Sequence, residues 1–314
     1  MRRGCLLLIG TLLGCGLLTS CFRRESPSAT DAASVSKIEP VYALQSDRPS
    51  SEIPESLAVN PRYSPARMRN DFQPMANWLA RKIGGRALQI EPSVSFASFE
   101  DKIREARPEW LIANPWQSLL AMKHGYTVIA MTGEPEDFRG VFLARRDRGI
   151  SPEGDWRGLS FAYPSPTALA ACLLPQWNLH QRGIDVKTEV KSFYVGTQES
   201  AILNVLDRIT DVGVTWTVPW AHFQRDEPEL AAQLTVLAVT EASSTNNAVL
   251  ARKTVAPERI ALMRTTLLRM HETEGGLPLF GAVGFTHFRP ATDQDYAAVQ
   301  TFIERFEAEV RSVD

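Results

Sequence analysis

The chain has 314 residues, with 34 Lys and Arg against 36 Asp and Glu and a net charge of −2. That near-balance argues against a nucleic-acid partner, which needs a basic face. After the N-terminal segment no apolar run approaches the ~18 residues of a membrane span, so the body is expected to be soluble.

The N-terminal segment reads as an export signal. Arg2 and Arg3 supply a positive start, and residues 4–18 form an apolar, Leu-rich core of signal-peptide length. Leu18-Thr19-Ser20-Cys21 fits a lipobox: an aliphatic residue, two small residues, and a thiol to carry diacylglycerol. Cleavage is therefore expected before Cys21. Leu12-Leu13-Gly14-Cys15 is a poorer match, because it leaves a very short apolar core and a bulky residue two before the Cys. An uncleaved single-pass anchor is the other reading, and the shortness of the apolar run speaks against it. Residues 22–37, rich in Ser and Ala, read as a flexible tether. Lipid on Cys21 would hold the protein to a membrane in the periplasm or cell envelope. Phe22 rather than Asp follows the Cys, so no inner-membrane retention signal is evident and the leaflet stays open. Of the four Cys, the signal removes Cys5 and Cys15 and lipid blocks Cys21. Cys172 is left without a partner, so packing rather than a disulfide must hold the body together.

The body, residues 38–314, is long enough for two lobes. VYALQSD (41–47) predicts a first strand. FQPMANWLARKIGG (72–85) has helical apolar spacing and a Gly stop. RALQIEPS reads as a strand, and SFEDKIREARPE as a helix with Ser98 as N-cap. EWLIANP is a buried strand, WQSLLAMKHG a helix ended by Gly125, and YTVIAMT a strand. A second run follows: the strand GLSFAYPS, the helix PTALAACLLPQWNLHQRG, the strand EVKSFYVG, the helix QESAILNVLDRI, and the strands DVGVTW and LTVLAVTE. PERIALMRTTLLRMHE and DQDYAAVQTFIERFEAEVRS close the chain as helices. This β-α alternation predicts mostly parallel sheets flanked by helices. VFLARRD (141–147) and AVLARKT (248–254) resemble each other and flank the second run. They are read as the strands by which the chain leaves the first lobe and returns. Residues 38–140 and 248–314 would then form lobe 1, and 141–247 lobe 2.

In such folds ligands sit at the carboxyl ends of strands, beside helix N-termini. Three junctions qualify. In Tyr163-Pro164-Ser165-Pro166-Thr167, Ser165 would cap a helix, Pro166 would take its first position, and Thr167 would add a hydroxyl to an anion site. In Val195-Gly196-Thr197-Gln198, Gly196 allows close approach of backbone to ligand, and Thr197 and Gln198 offer hydrogen bonds. In Asn114-Pro115-Trp116-Gln117, Trp116 could wall a pocket, and Trp216 and Trp220 lie at another strand end. Ordinary helix caps and core tryptophans would look the same locally. Arg62, Arg67 and Arg69 could complement an anion, but a solvated basic face is the preferred reading. The five His lack metal-ligand spacing. No catalytic motif such as GxSxG, Walker A or HExxH is present. Cys172, in an apolar helix, reads as a buried core thiol.

Several features in order resemble the phosphate, phosphite and phosphonate substrate-binding proteins of ABC transporters. These are the Pro-containing helix 72–85, the strand into Asn114-Pro115-Trp116, the run GVFLARRDRGI then WRGLSFAYPSPTALAA, the YVGTQES turn and the DVG strand. The resemblance covers residues 38–312. It implies an α/β type II periplasmic binding fold, with two lobes of mixed, mostly parallel sheets and two crossover strands as a hinge. It also implies that Ser165 and Thr167 grip the ligand's oxygens and that Asp211 matches an acidic ligand contact. Two positions depart from the family: Pro166 has no N–H to give, and Gln198 stands where the family has a His. They allow a different oxyanion or a more apolar ligand. The resulting expectation is a lipid-anchored monomer, without cofactor or metal and not an enzyme. It would capture a small oxyanion between its lobes for an ABC permease. A sensory protein for a histidine kinase is the alternative, and an enzyme using Cys172 or a cleft carboxylate is a third reading.

Overall fold

The computed structural model describes residues 53–313. The signal segment, Cys21, the tether and the strand expected at 41–47 lie outside the described residues.

The described residues open with a short strand, β1 (Glu55–Val59), and then α1 (Pro65–Ile83), capped by Ser64 with Pro65 in its first turn. β2 (Leu88–Glu91), α2 (Phe96–Arg104), β3 (Trp110–Ala113), α3 (Pro115–Lys123) and β4 (Tyr126–Thr132) follow. β5 (Gly140–Arg145) and β6 (Ser160–Tyr163) lead to one π-helical turn, Leu169–Leu173, that runs straight into α4 (Leu174–Gln181). Next come β7 (Lys191–Tyr194), α5 (Gln198–Leu206), β8 (Val212–Trp216), α6 (Thr217–Asp226), α7 (Pro228–Ala231), β9 (Leu234–Val239) and β10 (Ala248–Arg252). The chain ends with α8 (Pro257–Arg269), α9 (Phe280–Val283), β11 (Phe288–Arg289) and α10 (Ala297–Glu309).

The strands form two sheets, in the orders β11-β4-β10-β3-β1-β2 and β7-β6-β8-β5-β9. In the first, β1, β2 and β3 are parallel and β10 runs antiparallel between β3 and β4. In the second, β6 is parallel to β7 and β8, while β5 runs antiparallel between β8 and β9. β5 and β10 are the two look-alike segments of the sequence, and each runs antiparallel to both of its neighbours. The chain passes between the sheets through residues 133–139 and 240–247. Because both strands run backwards, both passages enter at the carboxyl ends of the parallel strands: Gly140 pairs with Trp216, and Ala248 with Ala113. The crossings therefore border the space between the lobes.

One apolar core covers one face of each sheet and is continuous through α10. α10 packs on α3 of the first lobe, and its Phe302 meets Trp177 of α4 edge-on. The other face of the first sheet packs on α1 and α8, and that of the second on α5 and α6. Gly213 of β8 allows α5 to lie against the sheet, because a Cβ there would stand 2.5 Å from the Ala201 carbonyl oxygen.

Local geometry differs from expectation at three places. α1 begins at Pro65 rather than Phe72, since Ser64-Pro65 is the stronger start signal. Ser95, not Ser98, caps α2; Ser98 is the third helical residue and completes a capping box with it. The helix after β6 starts at Leu169 rather than Pro166. Ala168 is held extended, and Ser165-Pro166-Thr167 makes a separate turn closed by Ala168 N–H on the Ser165 carbonyl.

Candidate functional site

A small cavity lies between the sheets, lined by Asn60, Phe96, Asn114, Phe138, residues 168–171, Gln198, Trp216 and Asn247. Its position follows from the topology. Asn60, Asn114 and Trp216 stand at the carboxyl ends of β1, β3 and β8, where α/β ligands bind. Phe138 and Asn247 come from the two crossings. Phe96, Asn114, Leu169 and Gln198 mark the starts of α2, α3, the π turn with α4, and α5. Four helix N-termini thus converge on one space. Each brings first-turn N–H groups without an acceptor in their own helix, and the positive end of a dipole.

The side chains around the space are amides, aromatics and the small apolar run of residues 168–171. Gln198 Oε1 accepts from the Thr215 hydroxyl at 2.9 Å. Asn114 Oδ1 accepts from the Gln117 N–H at 3.0 Å and so caps α3. Asn60 Oδ1 and both polar atoms of the Asn247 side chain are buried without a hydrogen-bond partner. Each such group costs ~1–3 kcal/mol unless something binds it. The cavity measures about 10 Å³, roughly the room for one water.

Beside it, hydroxyls of the second lobe meet a carboxylate of the first. Ser165 Oγ lies 2.8 Å from Thr167 Oγ1, which donates to Glu100 Oε1 at 2.5 Å. Gln117 Nε2 donates to the same oxygen at 3.2 Å. Burial raises the Glu100 pKa, against the lowering effect of the Thr167 and Gln117 bonds. Further out, Tyr63 Oη lies 2.8 Å from His222 Nδ1, and Arg67 pairs with Asp226 at 2.6 Å and Glu199 at 3.5 Å. These contacts hold the lobes closed.

The structure gathers only part of the residue set expected from sequence. Asn114, Gln198 and Trp216 line the cavity. Ser165 and Thr167 are buried next to it, with their hydroxyls on Glu100 rather than open to an anion. Gly196 has a positive φ of +91°, but neither it nor Thr197 reaches the cavity. Thr197 caps α5 by accepting from Ser200 N–H at 3.1 Å. Trp116 packs half-buried on the core instead of walling the cavity.

Asp211 is not at the site. It precedes the amino end of β8, five residues before Trp216, accepts from Ser160 N–H and Oγ, and pairs with Arg148. A strand of that length spans ~17 Å. Arg62 is not part of a solvated face either: it is 1% exposed. Trp220 stacks on Phe223 in the core of the second lobe. Cys172 is fully buried, and burial pushes its thiol up to about 12, which suits a core residue. Asn60, Phe96, Phe138 and Asn247 were not anticipated. Their one sequence signal is a polar residue abutting an apolar strand, in ESLAVN and TNNAVLAR, and an Asn there reads equally as a turn.

The family model described as "ABC transporter, phosphonate, periplasmic substrate-binding protein" matches residues 57–296. The chain belongs to this family. The binding component of a phosphonate ABC transporter from Pseudomonas aeruginosa has a similar structure, with a TM-score of 0.75 at 14% identity over 82% of this chain and 87% of that one. PhnD1 of Prochlorococcus marinus, solved with methylphosphonate, gives 0.73 at 13% identity over 81% and 98%. XAC2383 of Xanthomonas citri, solved with chloride, gives 0.66 at 19% identity over 82% and 99%. No curated protein sequence matches the chain. At these identities the structural likeness establishes the fold of the binding protein: two α/β lobes of the type II periplasmic class. Among the described residues, no helix is long and apolar enough to cross a membrane.

Proposed function

We propose that this binding protein captures a small oxyanion of the phosphonate type between its lobes and hands it to an ABC permease, while lipid on Cys21 tethers it to a membrane. The observation that carries this reading is the convergence of four helix N-termini on one interlobe cavity. Such ends favour anions through their N–H groups and dipoles. The unpaired amides of Asn60 and Asn247 add donors and acceptors for a tetrahedral head group. Phe96, Phe138 and Trp216 offer apolar faces to its carbon substituent. With about 10 Å³ between them, the lobes must part to admit such a ligand and then close on it, like a hinge about residues 133–139 and 240–247. Binding needs no chemistry on the ligand, and the family is one of substrate-binding transport proteins.

The test is calorimetric titration of the purified protein with methylphosphonate, phosphite, phosphate, alkylsulfonates and neutral polyols. The expected result is saturable one-to-one binding of a phosphorus oxyanion and none of the polyols. Binding of the polyols alone would refute the anion reading. For the tether, Cys21→Ser should move the protein from the membrane fraction to the soluble fraction. Unchanged membrane association would refute lipidation at Cys21.

A further inference from the structure

The cavity wall contains no Lys or Arg. A charged group nevertheless lies beside it. Arg62 follows β1 by three residues, two past Asn60, and is 1% exposed. Its guanidinium lies over the ring of Trp216 at 5.3 Å and over that of Phe72 at 5.5 Å. Trp216 belongs to the cavity wall, so the cation sits directly against that wall. Arg62 Nη1 donates to the Val283 carbonyl at 2.8 Å, while Nε and Nη2 are buried with no partner. Among the described residues no carboxylate forms an ion pair with it. The Arg62 carbonyl accepts from the Glu199 N–H at the start of α5, which pins this stretch to the second lobe when the lobes are closed.

A buried cation with no carboxylate in contact, and only Asp71 acting on it from further off, is a costly arrangement, and large single-residue costs of this kind are kept where they serve a site. Stacking on Trp216 and Phe72 offsets part of it. The remainder, a positive charge whose Nε and Nη2 carry three unused N–H groups, is what an anion at the neighbouring cavity would compensate. Helix ends alone supply only partial charges. A low-dielectric setting makes the interaction strong even without direct contact.

We propose that Arg62 supplies the positive charge against which the anionic ligand is held, and that it sets the preference of the cleft for anions over neutral molecules. This rests on the reading of the interlobe cavity as the ligand site. Arg62 acts as a specificity residue here, and its guanidinium orientation is fixed by Val283, Phe72 and Trp216 rather than by an acidic partner.

The experiment compares the wild type with Arg62→Met, Arg62→Gln and Arg62→Lys. Two quantities are measured on each: the melting temperature without ligand, and the Kd for methylphosphonate between pH 5.5 and 8.5. Arg62→Met keeps much of the packing volume without the charge, and Arg62→Gln keeps a donor for Val283. Both should lose at least about 30-fold in affinity, the scale of removing one member of a buried charge pair. Both should melt no lower than the wild type, because an uncompensated charge has gone. In the wild type, affinity should rise as methylphosphonate passes from monoanion to dianion; in the two uncharged variants that rise should flatten. Arg62→Lys should fall between.

Wild-type affinity and an unaltered pH profile in both uncharged variants would overturn the role of Arg62 and leave the cavity reading standing. So would a lowered melting temperature with the pH profile kept, which marks a purely structural role. If the wild type itself binds no methylphosphonate, phosphite or phosphate, the cavity reading fails and the role of Arg62 fails with it.

Discussion

Thr167 Oγ1 lies 2.5 Å from Glu100 Oε1, a hydrogen bond that joins a hydroxyl of the second lobe to a buried carboxylate of the first. It makes the Ser165-Pro166-Thr167 turn a closure contact. Thr167→Ala removes the bond and leaves Glu100 buried with one partner fewer. The expected cost to the closed form is ~1–3 kcal/mol, seen as a lower melting temperature. Glu100→Gln keeps the shape without the charge and should be milder. Equal effects from the two variants would argue against a charge-assisted bond.

Thr197 has a different part to play. As the cap of α5 it accepts from Ser200 N–H at 3.1 Å and does not line the cavity. Thr197→Ala should cost about 1 kcal/mol of stability. Thr197→Ser should cost almost nothing, and the Kd measured well below the melting temperature should stay the same in both. A large loss of affinity in Thr197→Ala would place Thr197 at the ligand after all.

Gly213 tests the packing of the second lobe. A methyl there would stand 2.5 Å from the Ala201 carbonyl oxygen and 2.9 Å from Val205 Cγ1. Backbone cannot yield as a side-chain tip can, so Gly213→Ala should destabilise by at least about 1–3 kcal/mol. Chemical denaturation is the measurement, and a neutral result would show that α5 shifts freely on the sheet.

The pH dependence of stability follows from His222. Burial lowers its pKa to about 4, helped by Arg225, Arg62 and Arg67 and opposed by Asp226. In the unfolded chain the ring titrates near ~6.5. The unfolded state therefore binds the extra proton first as pH falls. The contribution of His222 is complete above ~6.5 and is lost as pH drops toward 4, with a size of at most about 3 kcal/mol. Thermal melts across that window should show the loss, and His222→Phe should flatten the profile. An identical profile in the variant would assign the acid sensitivity to other groups.

Cys172 should behave as a core thiol. With its pKa pushed up to about 12 by burial, it is expected to resist iodoacetamide in the native protein and react only on unfolding. Rapid native labelling would require an opening of the α4 region.

Local sequence was informative wherever one signal was strong. The buried run WLIA, the helix QESAILNVLDRI and the β-α alternation all gave elements that the structure contains. Paired resemblance between residues 141–147 and 248–254 singled out β5 and β10, because equivalent places in two similar sheets ask for similar apolar segments. Where two signals competed, the sequence misled. Ser165-Pro166 carries a good helix start, yet the bond from Thr167 to Glu100, 67 residues away in the chain, holds that turn out of the helix.

By itself the sequence determined the fold class, the likeness to a binding-protein family and the three junctions from which a site could be built. These depend on periodicity, capping residues and turn chemistry, which act within a few residues along the chain. Only the tertiary structure decided which junctions share a cavity. It put Asn60 and Asn247 there, left Asp211 at the far end of β8, and buried Arg62 against Trp216. Those placements depend on sheet order, strand direction and the closure of one lobe on the other. Such relations join residues more than a hundred positions apart, and no local pattern encodes them.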